Sequence, residues 1–371
     1  ASYCIARKKL GERSLTDIFQ YTATQGDKSS KIGLLADRRV IVVDGTGLSM
    51  PDTLENQAVW PQSASQKVGC GFPSARICAC FSLESGSLLS YEIGNKKNHE
   101  LLLFRKQWKT FRAGDVFLAD KGFCSYYDMV KMGERGVDSV ITLARRKPVS
   151  KSKCLKILRS NDLLIKWDRP KYTPQLSYSR ETMKQLPEEL TLRQIRVVID
   201  QPGFRTKGFY IVTTLLDPIR YPSEEIVSLY FKRWDVELFF RDIKIAMGMD
   251  ILRCQTPEMI RKEILMNFIA YNCVRRLMYE AAEKAEIPVR KVSFKGSLQA
   301  IRSWSPQFNH EKLGKAERGK LLDDLYASMT DLLLPQRPGR SEPRCRKRRP
   351  KAYQLLTKPR HVMKEIPHRN R

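Results

Sequence analysis

An α/β fold is what this sequence predicts: a mixed sheet flanked by helices, interrupted by a strand-rich insertion and followed by a helical C-terminal part. Three observations predict it. Short apolar runs that stop at Asp and Gly, such as RRVIVVDGT and DVFLADKGF, read as buried strands. Segments with helical spacing, such as SYYDMVKMGERG, alternate with them through the first half. A chain of 371 residues with 42% hydrophobic content is also long enough to bury a real core without staples.

The elements follow in order. RRVIVVDGT is the first strand, with an expected end at Asp44 and a glycine turn after it. SARICACFSL and SLLSYEIG form a hairpin, because their period-2 apolar pattern breaks at Glu84, Ser85 and Gly86. NHELLLFRKQWKTF has helical spacing, DVFLADKGF is a short strand ending at Asp120, SYYDMVKMGERG is a helix closed by glycine, and DSVITLARR is another strand. Three strands, helix, strand, helix, strand is the order of a ribonuclease H-like core. That core is expected over residues 36–146 and again over 217–305. Between them, 147–216 reads as a β-rich insertion, clearest in RQIRVVID and KGFYIVTTLL on either side of QPGFRT. Pro222 and Ser223 start a helix predicted to run unbroken to Gly248, and Thr256-Pro257 starts a second one.

Charge narrows the function. The 67 Lys and Arg against 40 Asp and Glu leave +27, which implies a polyanionic partner, nucleic acid before an anionic membrane. Apolar runs such as GFYIVTTLL fall short of the roughly 20 residues that span a bilayer. Nine cysteines with no CxxC pair fit a reducing compartment, so a cytoplasmic, nucleoid-associated protein is expected, with Cys78 and Cys80 as core residues on one sheet face. His99, His310, His361 and His368 are the only histidines, which argues against a zinc site and leaves carboxylates holding Mg²⁺ or Mn²⁺.

The candidate acids are Asp44 and Asp120, each expected at the C-terminal end of a strand and each close to a glycine. Side by side they repel unless a cation lies between them. The long helix offers Tyr230, Arg233, Glu237, Arg241 and Lys244, spaced by three, four, four and three positions and so on one helical face. Asp235 and Asp242 are alternatives, but they point away from that row at about 100° per residue, which favours Glu237 as the third acid. Singly, a strand-end Asp is more often a turn former, and a Glu and Arg at helical spacing are more often a solvated pair. Their joint placement on a basic chain points to metal-dependent nucleic-acid chemistry.

The string Tyr, two residues, Arg, three residues, Glu, six residues, Lys stands here as YFKRWDVELFFRDIK. With VVDGTGLSMPD and LADKGF it resembles the DDE transposases of the IS4 insertion-sequence group, and the likeness extends through TPEMIRKEILMNFIAYNCVRRLMYEA and VSFKGSLQAIRSW. The resemblance implies a ribonuclease H-like core with a β-rich insertion. It also implies two Mg²⁺ or Mn²⁺ ions held by Asp44, Asp120 and Glu237, cleavage at transposon ends and joining of those ends to target DNA. Tyr230, Arg233, Arg241 and Lys244 would contact DNA phosphates, and two copies would act in a synaptic complex. Trp167, the insertion's tryptophan, would stack on a flipped base. Residues 1–35 would be the remnant of a DNA-recognition domain, and 306–371 a C-terminal region ending in a basic arm from Pro335. Two other readings stay open: a non-catalytic transposon-derived DNA-binding protein, and another ribonuclease H-like nuclease. A haloacid dehalogenase-type phosphatase is disfavoured, because Val42 stands where its nucleophilic Asp belongs.

Overall fold

The structure, a computed structural model, describes residues 2–28, 34–67, 69–95, 99–143, 153–172, 178–199, 208–309, 313–335 and 362. The basic arm after Pro335 therefore lies almost wholly outside the described residues. Two helices open the chain, α1 (Ser2–Lys9) and α2 (Glu12–Lys28). Strand β1 (Val40–Ser49), helix α3 (Leu54–Val59), strands β2 (Ser74–Ser82) and β3 (Leu88–Asn95) and helix α4 (Glu100–Arg105) follow. Next come β4 (Val116–Ala119), α5 (Tyr126–Gly133) and β5 (Asp138–Thr142). The segment read as an insertion supplies β6 (Cys154–Arg159), β7 (Asp162–Asp168), α6 (Arg180–Lys184), β8 (Glu189–Val198) and β9 (Gly208–Thr213). Helices complete the chain: α7 (Ser223–Lys232), α8 (Asp235–Arg241), α9 (Pro257–Lys284), α10 (Phe294–Phe308) and α11 (Lys315–Thr330).

All nine strands form one sheet in the order β3-β2-β1-β4-β5-β9-β8-β7-β6. Its first five strands are the ribonuclease H-like core, with β1, β2 and β3 antiparallel and β1, β4 and β5 parallel. The other four extend the same sheet, since β9 pairs antiparallel with β5 through Ile141 and Val212. A buried ion pair ties this extension to the helices. Arg193 on β8 donates to both oxygens of Asp162 on β7 at 2.8 and 2.5 Å, and its third nitrogen reaches the Tyr221 carbonyl just before α7. Both side chains are 1% exposed.

Strand alternation sorts the core into two layers. Val40 and Val42 face a cluster that also takes Phe19 of α2, Val236 and Phe240 of α8, and Phe268 of α9. Ile41 and Val43 face the other cluster, with Cys78, Cys80, Phe104 and Met129. Both cysteines are fully buried, as expected. Among the described residues no helix is long and apolar enough to cross a membrane.

Two local expectations change. Strand β1 does not stop at Asp44 but runs on to Ser49, because β2 continues to pair with it as far as Ser49↔Ser74. What ends near Asp44 is the parallel ladder to β4, whose last pair is Val43↔Ala119. The helix expected from Ser223 to Gly248 is interrupted at Arg233–Trp234, where backbone bonds tighten to three-residue spacing, and it loosens into a π turn at Asp242–Ala246. Trp167, on β7, is half-buried and meets the Tyr126 ring edge-on at 5.6 Å, in a patch with Met183 and Leu190. A ring packed in this way contributes to the fold, and its exposed part leaves the expected base-stacking role as a proposal.

Candidate active site

The site forms where the β1–β4 ladder ends and the two strands part. Asp44 leaves β1 on the face that holds α8, continuing the series of Val40 and Val42. Its Oδ1 accepts from the Gly45 N–H at 2.8 Å. Asp120 follows β4 directly and caps a short 3₁₀ turn, accepting from the Gly122 N–H at 2.7 Å. The break in the long helix turns Arg233 inward, where it is 7% exposed. Its guanidinium bridges the acids, with one nitrogen 3.9 Å from Asp44 and the other 4.0 Å from Glu237.

These pairs are too long to be hydrogen bonds, so they compensate the charges without closing on them. Burial pushes the Asp44 carboxyl up to about 6. The Gly45 N–H and Arg233 oppose that rise, while the negative charges of Asp120 and Glu100 add to it. Like charge brought together from several elements is what a divalent cation would relieve.

The other expected residues divide. The Tyr230 hydroxyl is buried and hydrogen-bonded to Thr142 at the end of β5. Burial raises that phenol, and the neighbouring Asp120 raises it further. Lys244 reaches β1, donating to the Gly47 carbonyl at 2.9 Å and to Thr46 Oγ1 at 3.2 Å. Arg241 is 60% exposed and stands 3.9 Å from Asp242. Asp235 and Asp242 do face away from the acids, lining a cavity with Arg275 and Arg290.

Among the described residues no three His, Cys, Asp or Glu side chains converge on one point closely enough to hold an ion. Arg233 occupies the space between Asp44 and Glu237. The donor set is nonetheless all carboxylate, the chemistry that hard divalent cations take. Sequence reasoning missed Thr142, Thr46 and Glu100, which enter from three different elements. The signal for Glu100 was Gly45, read as a turn although it lies within a strand.

The family whose model describes a transposase DDE domain matches residues 35–273, a span that contains Asp44, Asp120 and Glu237. The chain belongs to the DDE transposase family. Its relatives place it in the IS4 group. The transposase InsG for insertion sequence element IS4 of Escherichia coli (strain K12) is 28% identical over 358 residues, covering 95% of this chain and 77% of that protein. The transposase for insertion sequence element IS231F of Bacillus thuringiensis subsp. israelensis is 20% identical over 268 residues, covering 63% and 55%. The chain thus spans about half the length of its IS231 relatives. Among solved structures, a piggyBac transposase synaptic complex with hairpin DNA superposes with a TM-score of 0.42 at 12% identity, covering 82% of this chain and 59% of that one. Membership in the DDE transposase family implies use of divalent metal.

Proposed function

We propose that this transposase cleaves DNA at the ends of its element and joins those ends to target DNA, with Asp44, Asp120 and Glu237 holding two Mg²⁺ or Mn²⁺ ions. The observation that carries the reading is the bridging of Asp44 and Glu237 by Arg233, beside a second acid that raises Asp44. Bound ions would supply activation of the attacking water and charge stabilisation at the leaving 3′ oxygen. The chain's own part is to hold Asp44 and Asp120 at the parting of two strands, with Glu237 brought towards them on α8. Lys244 places positive charge beside the site for DNA phosphates, and Arg233 does the same from between the acids. Arg241 instead lines the cavity on the other face of α8. Tyr230 acts through Thr142, fixing α7 against the end of β5. Two copies of the chain, one for each transposon end, would form the synaptic complex.

The test is Mn²⁺-dependent cleavage of duplex DNA carrying the element's ends. Asp44→Asn, Asp120→Asn and Glu237→Gln should each abolish cleavage and leave DNA binding largely intact, because an amide keeps the shape and removes the charge. Wild-type cleavage by Glu237→Gln together with an inactive Asp235→Asn would move the third acid to the other face of α8. Unchanged cleavage by all three variants would support the reading as a different nuclease. DNA binding without cleavage by the unaltered protein would support a non-catalytic role.

A further inference from the structure

The place of Lys244 is set by a strand as much as by its own helix. Between Glu237 and Lys244 the α-helical period is lost, because Asp242–Ala246 form a π turn, followed by Gly248 at φ +81°. What holds the ammonium is β1, where Nζ donates to the Gly47 carbonyl at 2.9 Å and to Thr46 Oγ1 at 3.2 Å. Neither acceptor carries a charge, so these bonds orient the ammonium and leave its positive charge intact.

Thr46 is well built to do this. It follows Asp44 by two positions on the same strand, so it shares the face of Asp44 and Leu48, roughly 7 Å further along. Its backbone is paired with Ile77 of β2, and branching at Cβ leaves its side chain few rotamers. The hydroxyl is thus a fixed point on the sheet, whereas the lysine head sits on a long flexible stem.

We propose that Thr46 is a positioning residue for DNA recognition: its hydroxyl, with the Gly47 carbonyl beside it, holds the Lys244 ammonium on the Asp44 face of β1, ready for a phosphate of transposon-end DNA. The inference rests on the reading above, in which Lys244 contacts that DNA. An ammonium held in advance need not be ordered when DNA arrives, so losing the hydroxyl should weaken end binding by about threefold to tenfold. If the pair merely clips the π turn to β1, the loss appears in stability and not in DNA affinity.

The experiment measures binding of the full chain to labelled duplex carrying the element's ends, by fluorescence anisotropy in EDTA so that no strand is cut, with melting temperature recorded alongside. Thr46→Val keeps the branched shape, removes the hydroxyl and should give that weakening. Thr46→Ser returns the hydroxyl and should restore the affinity. Lys244→Ala should weaken binding and flatten the slope of log affinity against log salt by about 0.9, the loss of one phosphate contact. The deciding comparison is Thr46→Val in the Lys244→Ala protein, where it should have no further effect, because no ammonium is left to position. Should Thr46→Val not fold, Thr46→Ala takes its place in the same comparison. An equal loss from Thr46→Val with and without Lys244, or no rescue by Thr46→Ser, overturns the proposal and leaves Thr46 a structural residue. If Thr46→Val keeps wild-type affinity while Lys244→Ala binds weakly, the inference fails alone; if Lys244→Ala also keeps wild-type affinity and slope, the reading of Lys244 as a phosphate contact fails with it.

Discussion

The front and the back of α8 carry the same kinds of residue at nearly the same separations, yet they do different things. On the front, Arg233 stands 3.9 Å from Asp44 and 4.0 Å from Glu237. On the back, Arg290 stands 3.7 Å from Asp235, and Arg241 3.9 Å from Asp242, around a cavity of about 590 Å³. The acids differ in company. Asp44 has other acids close enough to act on it, brought by β4 and α4, whereas burial and basic side chains alone shift Asp235 and Asp242. Behind them Arg275 is anchored by two hydrogen bonds to the Ser85 carbonyl and lies over the Phe239 ring. A loose acid–arginine pair is therefore common to both faces, and it is the meeting of like charges from separate elements that marks a site.

Substitutions on the two faces break or sharpen this contrast. The largest difference should be in activity: Glu237→Gln should fall below about a hundredth of wild-type cleavage, while Asp235→Asn and Asp242→Asn stay within a few-fold of it. A Mn²⁺ cleavage assay on end-bearing duplex reads this directly. Next, Arg275→Ala should cost about 2–4 kcal/mol of stability through lost packing and an unsatisfied buried carbonyl, whereas Arg233→Ala should spare stability and weaken end binding by about 1–3 kcal/mol. Urea unfolding and a binding isotherm separate the two.

A smaller effect depends on pH. Burial pushes the Asp242 carboxyl up to about 6 from an ordinary value near 3.8, so ionising it in the folded state costs stability. The cost is present in full above pH 6 and fades as the pH falls from 6 to 4. Asp242→Asn should thus gain about 1–3 kcal/mol at pH 7.5, with the gain shrinking through that window. Unfolding midpoints at pH 7.5 and pH 4 check both the size and the sign. Least of all, Tyr230→Phe should lose about 0.5–1.5 kcal/mol with its bond to Thr142, read from the same unfolding curves.

The core was legible because its signals are local. An apolar run gave the start of β1, period-2 alternation gave β2 and β3, and the Thr256-Pro257 start gave α9; apart from the far end of β1, these stand within a residue or two of the expected bounds. The acids were legible as types for the same reason. What could not be read was set by partners distant in sequence. Nothing near Ile141 announces that β9 will pair with it, so four strands that look like an insertion join the core sheet. Asp44 looked terminal because glycine follows it, but β2 supplies bonds that carry the strand onward. The break at Arg233 has no Gly or Pro to mark it. A helical count over Tyr230 to Lys244 therefore overstates how far those five residues share a face.

One feature of the nine-stranded sheet bears on how the molecule behaves in solution. Its outer strand, β6, presents Leu155 at 49% and Ile157 at 70% exposure, an open edge of the kind that recruits other strands. The same strand carries Lys156 and Arg159, with Lys153 just before it. Lys153 and Arg159 are paired with Asp168 and Glu224, so the charge of Lys156 is what opposes a second edge, and added salt screens it within a Debye length of about 8 Å near physiological strength. Concentrating the protein in high salt would remove the guard that its own charge places over this edge, so aggregation should begin there.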